Sequence, residues 1–162
     1  MPVPELLIRP VTGADIREFA LWRHEAPYDV YDITHPVEEA VEYFLRPSTG
    51  CHVIEADGEL AGFITFGADA RVPGGEYSDT ALDIGLGIKP ELTGRGDGAA
   101  YVEAVIAFAL ATFELAPRRV TIAAGNERAV RVWSGRGFEE TQRFGSPETV
   151  MGSDEFVVLV DG

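Results

Sequence analysis

The chain has 162 residues, of which 46% are apolar, and carries a formal net charge of −14. That length suits one domain over 1–162, able to bury roughly two-thirds of the surface of its unfolded chain. The acidity argues against a nucleic-acid partner, and the single cysteine, Cys51, excludes an internal disulfide and a cysteine-rich metal site.

The longest wholly apolar run, Ala104 to Leu110 (extended by Ala111 and Phe113), is far short of the ~20 residues that cross a bilayer, so no membrane partner is expected. The N-terminus, Met1-Pro-Val-Pro-Glu5, lacks the basic and apolar regions of a signal peptide. A cytoplasmic address is the resulting expectation. His24, His35 and His52 lack metal-ligand spacing, so no metal is expected; His24 reads as a pocket, surface or core residue.

Glu5 to Val11 alternates weakly and reads as a strand. Thr12-Gly-Ala-Asp15 has the form of a capping box, which predicts a helix from about Asp15 to Arg23. Glu25 to His35 has no clean period and reads as a loop. A helix fits Val37 to Leu45, stopped by Pro47. Cys51–Glu55 and Leu60–Gly67 read as strands joined through Asp57-Gly58, a strong hairpin signal. Ala68 to Ser78 is a long loop. Thr80 to Ile88 alternates cleanly, with Leu82, Ile84, Leu86 and Ile88 on one face and Asp83, Gly85 and Gly87 on the other. After a glycine-rich turn, Ala99, Val102, Val105, Ile106, Ala109, Leu110 and Phe113 recur at helical spacing, which predicts a helix buried on a sheet. Arg119–Ala123 is a short strand, Asn126–Gly135 a helix, and Phe138–Phe144 and Glu155–Val160 are closing strands. The order β-α-α-β-β-β-α-β-α-β-β is a mixed α/β layer architecture.

Thr93-Gly-Arg-Gly-Asp-Gly-Ala99 is the most informative stretch. A glycine-rich turn at a helix N-terminus leaves amides uncovered where the helix dipole favours negative charge, a place to hold phosphate. A nucleotide P-loop is excluded, because no Gly-Lys-Ser/Thr follows. A dinucleotide fingerprint is excluded too, since Gly94, Gly96 and Gly98 are spaced two apart. A purely structural turn stays open on the turn alone. The charge distribution favours an anionic ligand: Lys89 to Arg136 carries a net +2, and the rest of the chain −16.

Downstream residues sharpen this. Strand, Gly94-Arg-Gly-Asp-Gly-Ala99, long helix, short strand, Asn126, then Ala129-Val-Arg-Val-Trp-Ser-Gly-Arg-Gly-Phe138, resembles the GNAT superfamily of N-acetyltransferases. The resemblance is specific over Ala81 to Phe144 and looser elsewhere. It implies a GNAT-like fold: a central twisted, mostly antiparallel sheet with splayed strands, flanked by helices. It also implies acetyl-CoA as co-substrate and a primary amine of a small molecule or peptide as acceptor, with transfer in a ternary complex. A homodimer is compatible with it. The alternative is an acyl-CoA-binding or regulatory module that keeps the fold without turnover. Thr93 stands where the family usually has Gln or Arg, and Trp133 where many members have Tyr.

The resemblance assigns roles by position. Backbone at Gly87 and Ile88 would hold pantetheine or the thioester carbonyl. The loop of Thr93, Gly94, Arg95, Gly96, Asp97, Gly98 and Ala99 would hold pyrophosphate, and Asn126 would add a contact. Asp83 is the candidate general base, sharing a strand face with Gly85 and Gly87; a solvated or paired aspartate is the equal alternative. Trp133 donates a hydrogen bond but does not titrate usefully, so either the thiolate departs unprotonated or another group, such as Tyr101 or a water, serves. Glu25, Tyr28 and Tyr31, with Asp29 and Asp32, would bind a cationic amine by charge and cation–π contact, or merely anchor their loop.

Overall fold

In chain order the elements are β1 (Leu6–Pro10), α1 (Gly13–Phe19), α2 (Val37–Phe44), β2 (His52–Ala56), β3 (Glu59–Phe66), β4 (Leu82–Ile88), α3 (Gly98–Thr112), β5 (Arg118–Ala123), α4 (Glu127–Ser134), β6 (Glu139–Gly145) and β7 (Glu155–Val160). The computed structural model describes residues 5–25, 28–78, 80–113, 117–145 and 155–161, with backbone only at Val30 and Tyr31. The order is the one the periodicities predict. Short 3-10 turns, among them Tyr28–Tyr31, Ala68–Ala70 and Pro90–Leu92, occupy stretches that carry no period.

Local chemistry sets the boundaries. Thr12 caps α1 with a complete capping box, its hydroxyl accepting from the Asp15 amide while the Asp15 carboxylate accepts from the Thr12 amide. The helix ends at Phe19 rather than Arg23. There the bonds tighten to Leu21 N–H on Glu18 and Trp22 N–H on Phe19, and the Trp22 ring turns into the core. Asp57 and Gly58 both have positive φ, 51° and 86°, as a two-residue hairpin turn of this hand requires.

Asp15 also anchors α1 to the sheet. The Arg9 guanidinium donates to both its oxygens at 2.7 and 2.9 Å and holds the carboxyl below its ordinary range, assisted by Thr12 and opposed by burial. A lowered folded value means stability that is present at neutral pH and lost as pH falls through the ordinary carboxylate range, near ~4. Urea unfolding of the native chain and Asp15→Asn should therefore differ most near neutrality and converge below that pH.

Seven strands form one sheet in the order β1-β2-β3-β4-β5-β7-β6. All neighbours are antiparallel except β4 and β5, which run parallel. On one face, α3 and α4 bury Ile54, Ile64, Ile84, Val105, Val120 and Trp133. On the other, α1 and α2 cover Val53 and Phe63, with Phe19 stacked on Phe63 at 4.1 Å. Leu110, on the predicted apolar stripe of α3, is 61% exposed, because that helix meets the sheet only through a narrower face.

Candidate active site

The site begins where the sheet opens. Strands β4 and β5 pair only through Leu82–Ile84 against Arg118–Val120, although β4 runs on to Ile88 and β5 to Ala123. Backbone groups along a strand point alternately to its two neighbours. Asp83 accepts from Gly67 and the Lys89 amide donates to Ala61, so odd residues of β4 face β3. Even residues face the other way, as the Leu82 bond to Pro117 shows. Beyond Ile84, the N–H and C=O groups of Leu86 and Ile88 therefore point into the gap that β5 has left.

Gly87 differs from these two in the direction of its carbonyl. Its carbonyl lies toward β3, within 2.8 Å of where a Cβ on Gly62 would stand. Gly87 serves a different need: a Cβ there would meet the Phe63 ring at 2.5 Å. Leu86 joins Ile88 in turning its backbone groups to the gap, and Gly87 lies with them on the cavity wall.

The glycine loop closes the wide end of the split. Gly94 and Gly96 adopt positive φ, 73° and 85°, which winds the chain into α3. Among the described residues the amides of Arg95, Gly96 and Asp97 donate to no protein group, and Asp97 gives α3 no side-chain cap. The Asp97 carbonyl instead accepts from Ala100 and Tyr101. Thr93 turns back on the preceding 3-10 turn, its hydroxyl donating to Pro90 at 2.7 Å. Gly94, Gly96, Gly98, Ala99 and Thr93 line the cavity that results, while Arg95 and Asp97 lie off its wall.

That cavity measures about 520 Å³ and runs from the loop into the split, between Ile84–Ile88 on one side and Val120–Ile122 on the other. A long, mostly apolar slot ending in uncovered amides fits a ligand with an anionic head and a thin arm. The model of the acetyltransferase (GNAT) family matches residues 15–138. The chain belongs to that family.

Solved structures share the fold over nearly the whole chain. A chimaeric spermidine N-acetyltransferase from Vibrio cholerae and hSSAT superposes with a TM-score of 0.78 at 17% identity, covering 96% of this chain and 94% of that one. An acetyltransferase structure from Salmonella typhimurium with its cofactor acetyl-CoA gives 0.68 at 16% identity, covering 96% and 92%. AAC(6′)-Ib in complex with ribostamycin and coenzyme A gives 0.74 at 17% identity, covering 97% and 93%. No curated protein sequence matches the chain.

Asp83 does not take the place expected of a base. It is 2% exposed and off the cavity wall. Arg119 donates to both its oxygens, at 2.6 and 2.8 Å, and Arg71 donates at 2.8 Å. Both carboxylate oxygens are thus taken up by guanidinium N–H groups away from the cavity. The same guanidiniums sit over the Tyr77 ring, and Arg119 also donates to the Ser78 carbonyl. Tyr77 accepts from Val72 and shares a 2.9 Å bond with the Thr121 hydroxyl. Asp83 thus ties the segment between β3 and β4 across the sheet, and Thr121 carries that tie to the cavity wall.

Around the acceptor end, Glu25 is exposed, and among the described residues it gives only its carbonyl, to the Tyr28 amide. The Tyr31 side chain lies outside the described residues. Tyr28 does line the cavity, but the Arg128 guanidinium stands over its ring at 4.0 Å. That face of the ring is therefore taken by Arg128 and not offered to an incoming amine. His24 is also on the wall, with Nδ1 2.8 Å from Asp32 and Nε2 2.8 Å from the Ile88 carbonyl.

Asn126 lines the cavity and caps α4, its side-chain oxygen accepting from Ala129 at 3.2 Å. Trp133 is buried and packs edge-on against Phe138. Tyr101 is buried on the wall of the split; burial first, then the Asp97 charge, raises its hydroxyl above the ordinary tyrosine value. Sequence reasoning missed Arg128, Leu86 and Thr121 as site residues. For Arg128 a signal exists, its place two residues after Asn126 within the locally basic segment. Among the described residues no group of three or more His, Cys, Asp or Glu side chains could hold a metal ion. No helix among them is long and apolar enough to cross a membrane.

Proposed function

We propose that the protein is an acetyl-CoA-dependent N-acetyltransferase that moves an acetyl group onto a primary amine of a small molecule or peptide, by direct transfer in a ternary complex. The carrying observation is the split between β4 and β5 that opens onto the glycine loop. Its features fit the co-substrate: uncovered amides from Arg95 to Asp97 for pyrophosphate, and backbone of Leu86 and Ile88 for an amide-bearing arm. Gly94, Gly96, Gly98, Ala99, Thr93 and Asn126 complete the wall around that ligand. The family supports acetyl transfer, and relatives named for spermidine, or solved with ribostamycin, support a small amine as acceptor. The reading includes a cytoplasmic setting without nucleic-acid or membrane partners.

Acetyl-CoA supplies the thioester-activated acetyl group. An alkylamine has a pKa near ~10 and must lose a proton before it attacks. Asp83 is unavailable for that proton, so it leaves through water or other groups on the wall. Tyr101, whose hydroxyl stays protonated at neutral pH, is available to the departing thiolate; the Trp133 indole is not a useful acid.

The locked state of Asp83 and the indole at Trp133 also favour a second reading, a non-catalytic acyl-CoA-binding module. Thiol release from acetyl-CoA, followed with a thiol reagent over a panel of primary amines, separates the two. Acceptor-dependent release is the expected result. Tight acetyl-CoA binding with no release from any amine would establish the module.

A further inference from the structure

We infer that Arg128 is a pyrophosphate-binding cation of the site, held in place by Tyr28, and that it supplies the positive side chain that Thr93 does not. The inference rests on the acetyl-CoA reading above. Arg128 occupies the first turn of α4 and lines the cavity. Its guanidinium reaches the phosphate loop, where a Cβ on Gly94 would meet Nη1 at 2.8 Å. Gly94 serves its positive φ, and its missing side chain leaves Arg128 room beside the loop.

Three further observations point to an anion. Arg128 is half-buried, yet among the described residues it has no ion pair; its guanidinium rests on the Tyr28 ring. The lining of the cavity includes no Asp or Glu, so nothing on the wall neutralises this charge. Gly96 lies on the same wall, and among the described residues its amide, like those of Arg95 and Asp97 beside it, has no protein acceptor. A guanidinium beside a loop with free N–H donors matches the oxygens of a diphosphate.

Tyr28 makes Arg128 a rigid donor. The cation sits 4.0 Å from the ring centroid, within the range where the ring quadrupole attracts it. The ring belongs to the 3-10 turn Tyr28–Tyr31, in the connection between α1 and α2 that also places His24 on the Ile88 carbonyl. Tyr28 is accordingly a positioning residue for the phosphate site.

Calorimetry with CoA, dephospho-CoA and pantetheine tests this on the whole chain. Arg128→Gln should weaken CoA and dephospho-CoA alike, by at least about tenfold, and leave pantetheine, which has no phosphate, unchanged. Arg128→Lys should recover part of the loss, and Tyr28→Leu should weaken CoA by a few-fold without changing pantetheine. An unchanged CoA affinity in Arg128→Gln overturns the inference. So does an equal loss on all three ligands, or a loss on CoA that dephospho-CoA does not share, which would move the contact to the 3′-phosphate. Native protein that binds no CoA would instead overturn the acetyltransferase reading itself.

Discussion

Replacing Gly96 by aspartate is expected to lower acetyl-CoA affinity by at least about a hundredfold in calorimetry, equivalent to about 2.7 kcal/mol. Two effects add. At φ +85° a side chain is strained, at a cost of roughly 1–2 kcal/mol for an ordinary residue. The new carboxylate also stands among the amides that would receive pyrophosphate. At about 4 Å, two unit charges repel by about 4 kcal/mol at an effective dielectric of 20. A clash contributes nothing, since a Cβ on Gly96 would meet no atom within 4 Å.

Gly98→Asp separates charge from strain. Gly98 has no positive φ, and its added Cβ would make only an ordinary 3.5 Å contact with Val132. It should keep most of the loss, whereas Gly96→Ala, strained but uncharged, should show the smaller part. Unaltered acetyl-CoA affinity in both aspartate variants would remove the phosphate assignment from this loop.

The largest effect on stability is expected at Asp83. Asp83→Ala leaves Arg119, 5% exposed, and the half-buried Arg71 without their shared carboxylate. Breaking a buried ion pair from one side costs about 3–5 kcal/mol. For a domain of this size each kcal/mol lowers the melting temperature by about 2–4 °C, so a drop of roughly 6–20 °C is expected in thermal unfolding. Asp83→Asn, which keeps an acceptor, should lose less. Its pH–rate profile should retain the native shape, because a residue that only positions others does not set a kinetic pKa. A native melting temperature with an activity loss of a hundredfold would return Asp83 to the role of base.

The contrast between these two residues shows what was legible. Gly96 acts through its backbone, and a glycine's freedom at a helix start is written in the local sequence. The strand alternation that put Asp83 on a face with Gly85 and Gly87 was equally legible, and correct. What occupies the space beside that face was not. Arg119 lies 36 residues further along, and meets Asp83 because β4 and β5 pair through that register. Tyr28 and Arg128 stand 100 positions apart in sequence and meet only because the first interhelical connection reaches across the sheet to α4.

The sequence by itself determined the order and kinds of the elements, the glycine loop before α3, and the two linked motifs that mark the family. Those depend on periods, caps and turn residues, whose physics spans a few neighbouring positions. Tertiary structure decided which carboxylate is neutralised, which backbone groups face the gap, and which cation stands at the loop. Each is settled by contacts between distant segments. The glycine loop marks where phosphate would bind; only the folded chain brings Arg128 to it and withdraws Asp83 from the cavity.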